Sequence, residues 1–193
     1  MTTSETGVRE EILKTAMRMF IEQGYHGLAM RQISEAVGVS KAALYYYFKD
    51  KEELFLAILG NYLDEMETSI DAIRAGTVSN TEQIRRFVEA VLSQPAEKRA
   101  LTRLASQEMA QLSPTSRKKF DKLYRDKFIG KLTAILREGM ERGEFRTLNA
   151  EVATWSLLGI MYPYFYPAHS GSRPIAPETI GEILSIYLNG MTK

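Results

Sequence analysis

Between Gly38 and Leu54 the chain reads Gly-Val-Ser-Lys-Ala-Ala-Leu-Tyr-Tyr-Tyr-Phe-Lys-Asp-Lys-Glu-Glu-Leu. Its lysines (41, 49 and 51) and three consecutive phenols are groups that bind nucleic acid. A lysine donates to phosphate oxygens or to guanine O6 and N7, and a tyrosine hydroxyl donates to phosphate. Ala42 and Ala43 are small enough to allow close approach and to touch a thymine methyl. Spacing decides which of these groups are free. Ser40 is a good N-cap, so a short helix is expected over 41–47. Leu44 and Phe48, four apart, share one face and must anchor it. Successive helical residues point about 100° apart, so Tyr45, Tyr46 and Tyr47 cannot all turn inward. At least one must face out, and at least one should be partly buried.

A helix of about two turns is not stable alone, so neighbouring elements must hold this one. Residues 8–23 carry Ile12, Leu13, Ala16, Met17, Phe20 and Ile21 as one apolar stripe, with Gly24 as a stop. A second helix is expected over 30–36, broken by Gly38. The second and third helices are then joined by a Gly-containing turn, a helix-turn-helix pattern. Asp50 with Glu53 reads as a capping box opening a long helix over 51–75. Further helices are expected at about 81–93 with Thr81 as cap, 97–112, 114–142, 150–163 and 177–191, with a loop at 167–176. The expected fold class is all-α, with about nine helices. A helix-turn-helix head (1–50) is followed by a larger helical body (51–193).

Charge does not carry the nucleic-acid reading. The formal net charge is +1, and the first 60 residues hold seven Lys/Arg against eight Asp/Glu. Local placement matters instead: residues 31–51 hold four basic side chains against two acidic. Zero cysteines exclude disulfides, thiolate zinc sites and cysteine nucleophiles. No apolar run approaches the roughly 20 residues of a membrane span. The start, MTTSETGVREE, has no apolar segment of signal-peptide type, so the cytoplasm is the expected compartment. His26 and His169 are the only histidines, and they lie in different regions. No HExxH, G-x-S-x-G or phosphate-loop motif occurs, and neither a metal site nor a cofactor is expected.

Residues 9–55 closely resemble the N-terminal domain of the TetR family of transcriptional regulators. The motifs are Phe20-(x)3-Gly24-Tyr25, Ile33, Gly38-Val39-Ser40, Leu44-Tyr45-(x)2-Phe48 and Lys51-Glu52-Glu53-Leu54-Phe55. Ala29 departs from the family's usual threonine, which caps the second helix. The resemblance implies a homodimer reading an inverted-repeat operator in double-stranded DNA, acting as a repressor released by a small-molecule inducer. The implied DNA-contacting set is Arg31, Ser40, Lys41, Ala42, Ala43, Tyr45, Tyr46, Tyr47 and Lys51. Within it, Tyr45 lies against the backbone or a thymine methyl, and Lys51 occupies a phosphate-contacting position. A regulator without a ligand and a small-molecule enzyme are the alternatives.

The resemblance also places a dimer interface on the last two helices, at Trp155, Gly159, Ile160, Ile180, Gly181, Ile183, Leu184, Tyr187 and Leu188. Apolar residues cover more of these helices than one internal core needs. An inducer pocket in the body could be lined by Met66, Phe87, Met109, Tyr124, Phe128, Trp155, Tyr162 and Phe165, with Arg103 and Gln107 as polar contacts. The segment from Leu158 to Gly171 loosely resembles regulators of fatty-acid, acyl-CoA or sterol breakdown, which implies a lipid-like, acyl-CoA or aromatic ligand.

Overall fold

Local capping sets the first boundaries of the chain. In the computed structural model, which describes residues 3–76, 79–166 and 174–191, α1 (Thr3–Gln23) is followed by α2 (Met30–Val37) and α3 (Lys41–Tyr47). Ser40 accepts a hydrogen bond from the Ala43 N–H at 3.1 Å and so starts α3. Gly38 ends α2 at φ +76°, a left-handed conformation that glycine adopts without steric cost. α4 (Lys51–Ala75) opens on Asp50, whose carboxylate accepts the Glu53 N–H at 2.7 Å. Glu53 reaches back to the Lys49 N–H at 2.9 Å.

Next come α5 (Asn80–Leu92), α6 (Ala96–Glu108) with a 3-10 turn over Met109–Gln111, and α7 (Pro114–Tyr124). A π-helical segment, Arg125–Ile129, leads into α8 (Gly130–Glu141). α9 (Ala150–Met161), a 3-10 turn (Tyr162–Phe165) and α10 (Pro177–Met191) complete the described chain. No strand occurs among the described residues. The expected 114–142 helix is therefore helical throughout but interrupted by a π segment. Ser79, rather than the expected Thr81, caps α5 by accepting the Glu82 N–H. The expected loop over 167–176 lies mostly outside the described residues, as does His169.

Two compact units divide the chain. The first is Met1–Tyr62 with Leu101–Asp121; the second is Leu63–Ala100 with Lys122–Lys193. The first takes in the expected head together with the start of α4 and parts of α6 and α7. Its core is Ile12, Ala16, Phe20, Ile33, Leu44, Leu54 and Phe55, all fully buried. Phe20 and Phe55 meet edge to face at 5.1 Å between ring centroids. The Glu52 carboxylate accepts from the Ser113 N–H at 3.1 Å, from Ser113 Oγ at 2.5 Å and from Ser116 Oγ. The two serine hydroxyls hold its pKa below the usual carboxylate range, with the Ser113 N–H adding to them against partial burial.

The core of the second unit is Ile84, Val88, Leu92, Leu132, Ile135, Leu136, Leu157 and Met161, also fully buried. Lys127 Nζ, from the π segment, bridges Asp64 at 2.5 Å and Glu67 at 2.9 Å of α4. Lys131 bridges Asp71 at 2.6 Å and Glu67 at 3.3 Å. These carboxylates push the Lys127 ammonium up to about 12. α9 and α10 run antiparallel: Tyr187 Oη donates to Ala153 O at 3.0 Å, and the Arg146 N–H to Met191 O at 2.8 Å.

Candidate nucleic-acid interface

α3 is held from beneath and left open above. Leu44 is fully buried and Phe48, at the C-cap, is 2% exposed. The opposite side presents Lys41, Ala42, Tyr45 and Tyr46 to solvent, with Ala43 and Tyr47 half-buried. Tyr46 is 75% exposed, and its ring meets Tyr47 edge to face at 5.2 Å. Tyr47 therefore braces Tyr46, and the expectation that the three phenols divide between outside and inside is met by the fold. The Lys41 ammonium lies 5.8 Å from the centroid of the Tyr45 ring. Ser40 stays on the surface, with its hydroxyl oxygen engaged by the cap. Such a surface can donate hydrogen bonds and stack, and α3 is short enough to lie in a major groove.

The other cations are arranged differently. Arg31 is exposed and pairs with Glu35 one turn on, at 3.6 Å. An exposed pair of this kind is worth at most about 1 kcal/mol, so phosphate can compete for the guanidinium. Lys51 is not the free cation its sequence position suggests. Its ammonium donates to Tyr25 O at 2.6 Å and Leu28 O at 2.9 Å, and it sits 4.4 Å from the Tyr25 ring centroid. Burial pushes its pKa below the usual lysine value, against the pull of Glu108. Lys51 thus clamps the connection between α1 and α2. Lys51→Met is expected to lower the melting temperature by the equivalent of about 1–3 kcal/mol. It should change the salt slope of DNA binding by less than the one unit that a lost phosphate contact gives. A salt titration by fluorescence anisotropy checks this, and an unchanged melting temperature would refute the clamp.

Sequence reasoning missed Gln32. Its side-chain oxygen accepts the Ala29 N–H at 2.8 Å and closes the start of α2 where Ala29 has no capping group. The signal was present: glutamine at the third helical position is half of a capping box.

The expected pocket residues separate. Arg103 and Met109 (half-buried) and Gln107 (exposed) belong to the first unit. In the second unit Met66, Phe87, Phe128 and Phe165 are buried, and Tyr124 is half-buried. Phe128 lies 5.9 Å from Phe87 and 5.3 Å from Tyr124 between centroids, so three of these rings form one cluster. Trp155 (52% exposed) and Tyr162 (37%) stand outside this core, on the surface. A separate open cleft of about 680 Å3 is lined by other residues, among them Arg125, Ile129, Arg137 and Met140.

The expected interface residues also divide. Trp155, Gly159 and Gly181 are exposed and Ile160 is half-buried. Ile180, Ile183, Leu184, Tyr187 and Leu188 are instead packed inside the chain, at 7% exposure or less. α10 has one apolar stripe, and the core of the second unit takes it. The outer face gains Val152 and Ile186, which are 63% and 67% exposed. A groove of about 400 Å3 runs there between Ile160, Pro163, Tyr164, Ile183 and Ile186.

Comparison with known proteins agrees with this geometry. Residues 12–58 match the family described as bacterial regulatory proteins, tetR family. Residues 77–163 match the tetracyclin repressor-like C-terminal domain. The crystal structure of the TetR family transcriptional regulator PfmR from Thermus thermophilus is 30% identical, covering 94% of this chain and 99% of PfmR at a TM-score of 0.76. The chain belongs to the TetR family of transcriptional regulators. Like the rest of that family it is a DNA-binding regulator rather than an enzyme. The activator FasR of Mycolicibacterium smegmatis is 35% identical over 82 residues, which is 42% of this chain but only 37% of FasR. AibR, solved with isovaleryl coenzyme A and operator DNA, has the same fold: TM-score 0.77 at 23% identity, over 93% of this chain and 97% of AibR. No described helix of this TetR-family chain is long and apolar enough to cross a membrane. The described residues also contain no cluster of three metal-ligating side chains.

Proposed function

We propose that this TetR-family regulator works in the cytoplasm as a homodimer, reads an inverted-repeat operator with two copies of α3, and represses transcription until a small molecule releases it. The observation that carries the reading is α3 itself. It is capped by Ser40 and anchored by Leu44 and Phe48, with Lys41, Tyr45 and Tyr46 facing solvent. The few base-reading groups of one head cannot specify a useful site. Two heads about 34–36 Å apart, or a multiple of that, can. The outer face of α9 and α10 supports a two-fold contact, because Val152, Trp155, Gly159 and Ile186 leave apolar surface exposed there.

AibR's complex with isovaleryl coenzyme A favours an acyl-CoA or related lipid-like molecule, whose apolar part would have to open a space beside the aromatic cluster of the second unit. The ligand prefers a body conformation in which α4 is tilted. Operator affinity then falls by the ligand's differential affinity for the two conformations, and DNA weakens ligand binding equally. The 82-residue match to the activator FasR favours a second reading, in which the bound dimer activates. Deleting the gene separates the two: a reporter on the operator rises for a repressor and falls for an activator.

Fluorescence anisotropy on duplexes recovered by selection from a random pool tests the DNA reading. The recovered site should be an inverted repeat. Lys41→Ala should cost about 1–3 kcal/mol of discrimination at particular base pairs and leave binding to unrelated DNA within about twofold. If wild type binds all duplexes alike, α3 is not a sequence reader. If saturating acyl-CoA, lipid and aromatic candidates all leave the operator Kd unchanged, the inducer reading fails.

A further inference from the structure

Lys41 stands at the first position of α3, where the positive end of the helix dipole disfavours a cation. No carboxylate among the described residues pairs with it. Its one described side-chain partner is the ring of Tyr45, one turn along the same helix, 5.8 Å from the ammonium. Tyr45 is itself 41% exposed and stands on the surface rather than in the core. Arg31, by contrast, is paired with Glu35, and Lys51 is clamped to the α1–α2 connection. Of these three cations, only Lys41 is seated on an aromatic face at the reading end of α3.

We propose that Tyr45 is a specificity-positioning residue that acts through Lys41: its ring seats the ammonium and aims it at the base edge. A lysine stem has four rotatable bonds, and a base contact must fix them all. A ring one helical turn away holds the cation before DNA arrives, which lowers the ordering cost of the contact. Exposed cation–π pairs correspond to about two- to fivefold in an equilibrium constant. That is enough to shift base discrimination, and too little to hold a helix in place. The π face attracts the cation without the hydroxyl, so Tyr45→Phe should keep the effect. The hydroxyl stays available for the phosphate backbone, which makes no base distinction.

This inference rests on the reading of α3 as the DNA-contacting helix. The test is a double-mutant cycle on the selected inverted-repeat duplex and on single-base-pair variants of it, read as ratios of Kd. Tyr45→Leu should lower discrimination about two- to fivefold at the same base pair that Lys41→Ala affects. Tyr45→Phe should retain that discrimination and weaken all duplexes alike. In the Lys41→Ala background, Tyr45→Leu should produce no further loss at that base pair. Additive losses, or a Tyr45→Leu effect at a different base pair, would mean that Tyr45 reads DNA by its own contact and would overturn the proposal. Failure of Tyr45→Phe to rescue would overturn it too. A wild-type protein that does not distinguish the duplexes would instead refute the reading of α3. Circular dichroism melts of each variant should coincide with wild type, since the pair lies on the surface.

Discussion

Replacing Leu44 with alanine is expected to weaken operator binding at least tenfold and to lower the melting temperature. α3 has seven residues, too few to be helical without support. Leu44 is its one buried residue, and only Phe48 at the C-cap adds a second anchor. Leucine-to-alanine changes at fully buried sites cost about 2–5 kcal/mol, a large part of a typical domain's stability. The loss is local: with Phe48 alone holding it, α3 spends part of its time undocked. The apparent Kd rises by the inverse of the docked fraction, and in a dimer both heads are affected. The outer face of α9 and α10 lies in the second unit, so the mass measured by light scattering should be unchanged. Tyr46→Ala is the contrasting variant, with weaker DNA binding but an unaltered melt, because Tyr46 is 75% exposed. Wild-type operator affinity in Leu44→Ala would show that burial of this side chain does not hold the reading helix.

The legible parts of the fold were those set by neighbours in sequence. α3 and α4 begin where Ser40 and Asp50 predict, because an N-cap acts on N–H groups two or three residues away. The misplacement of the α5 cap from Ser79 to Thr81 has the same origin: two hydroxyl residues two apart both suit the role, and only one is placed to accept. Facing was less legible than existence. Ile180, Ile183, Leu184, Tyr187 and Leu188 repeat at helical spacing whether they pack inside the chain or against a second copy. Ile186, on the other side of α10, is the large apolar residue that this helix leaves exposed. Lys51 illustrates the limit for the site. A cation at a helix start near a DNA-reading helix suggests phosphate, yet its partners are carbonyls 26 and 23 residues earlier in the chain. The π segment at Arg125–Ile129 has no local sequence rule that separates it from α-helix.

Glu144 is the long-range counterpart of those local caps, and its removal should cost about 2–3 kcal/mol. The chain after α8 folds back so that the Glu144 and Phe145 N–H groups both reach Gly139 O, at 2.9 and 3.1 Å. A side chain at 139 would collide with the Phe145 ring, which fills the space a Cβ would need. This return brings the Glu144 carboxylate to the start of α5. It accepts from the Asn80 N–H at 3.1 Å, the Thr81 N–H at 2.9 Å and Ser79 Oγ at 2.9 Å. Ser79 takes the Glu82 N–H, so the first three orphan donors of the helix are all satisfied. Burial alone would raise the Glu144 pKa, but the hydrogen bonds from Thr81, Asn80 and Ser79 outweigh it and hold the carboxyl below its usual range. A folded-state pKa below the unfolded one means that the stabilisation is complete above the unfolded value, about 4.3. It is lost as the pH falls through the folded value. Glu144→Ala lacks it at every pH. The melting temperatures of wild type and Glu144→Ala should therefore differ most near pH 7 and converge toward pH 3, with other carboxylates such as Glu52 cancelling in the difference. A gap that stayed constant across that range would mean that the ionised carboxylate contributes nothing, and that Glu144 acts only through packing.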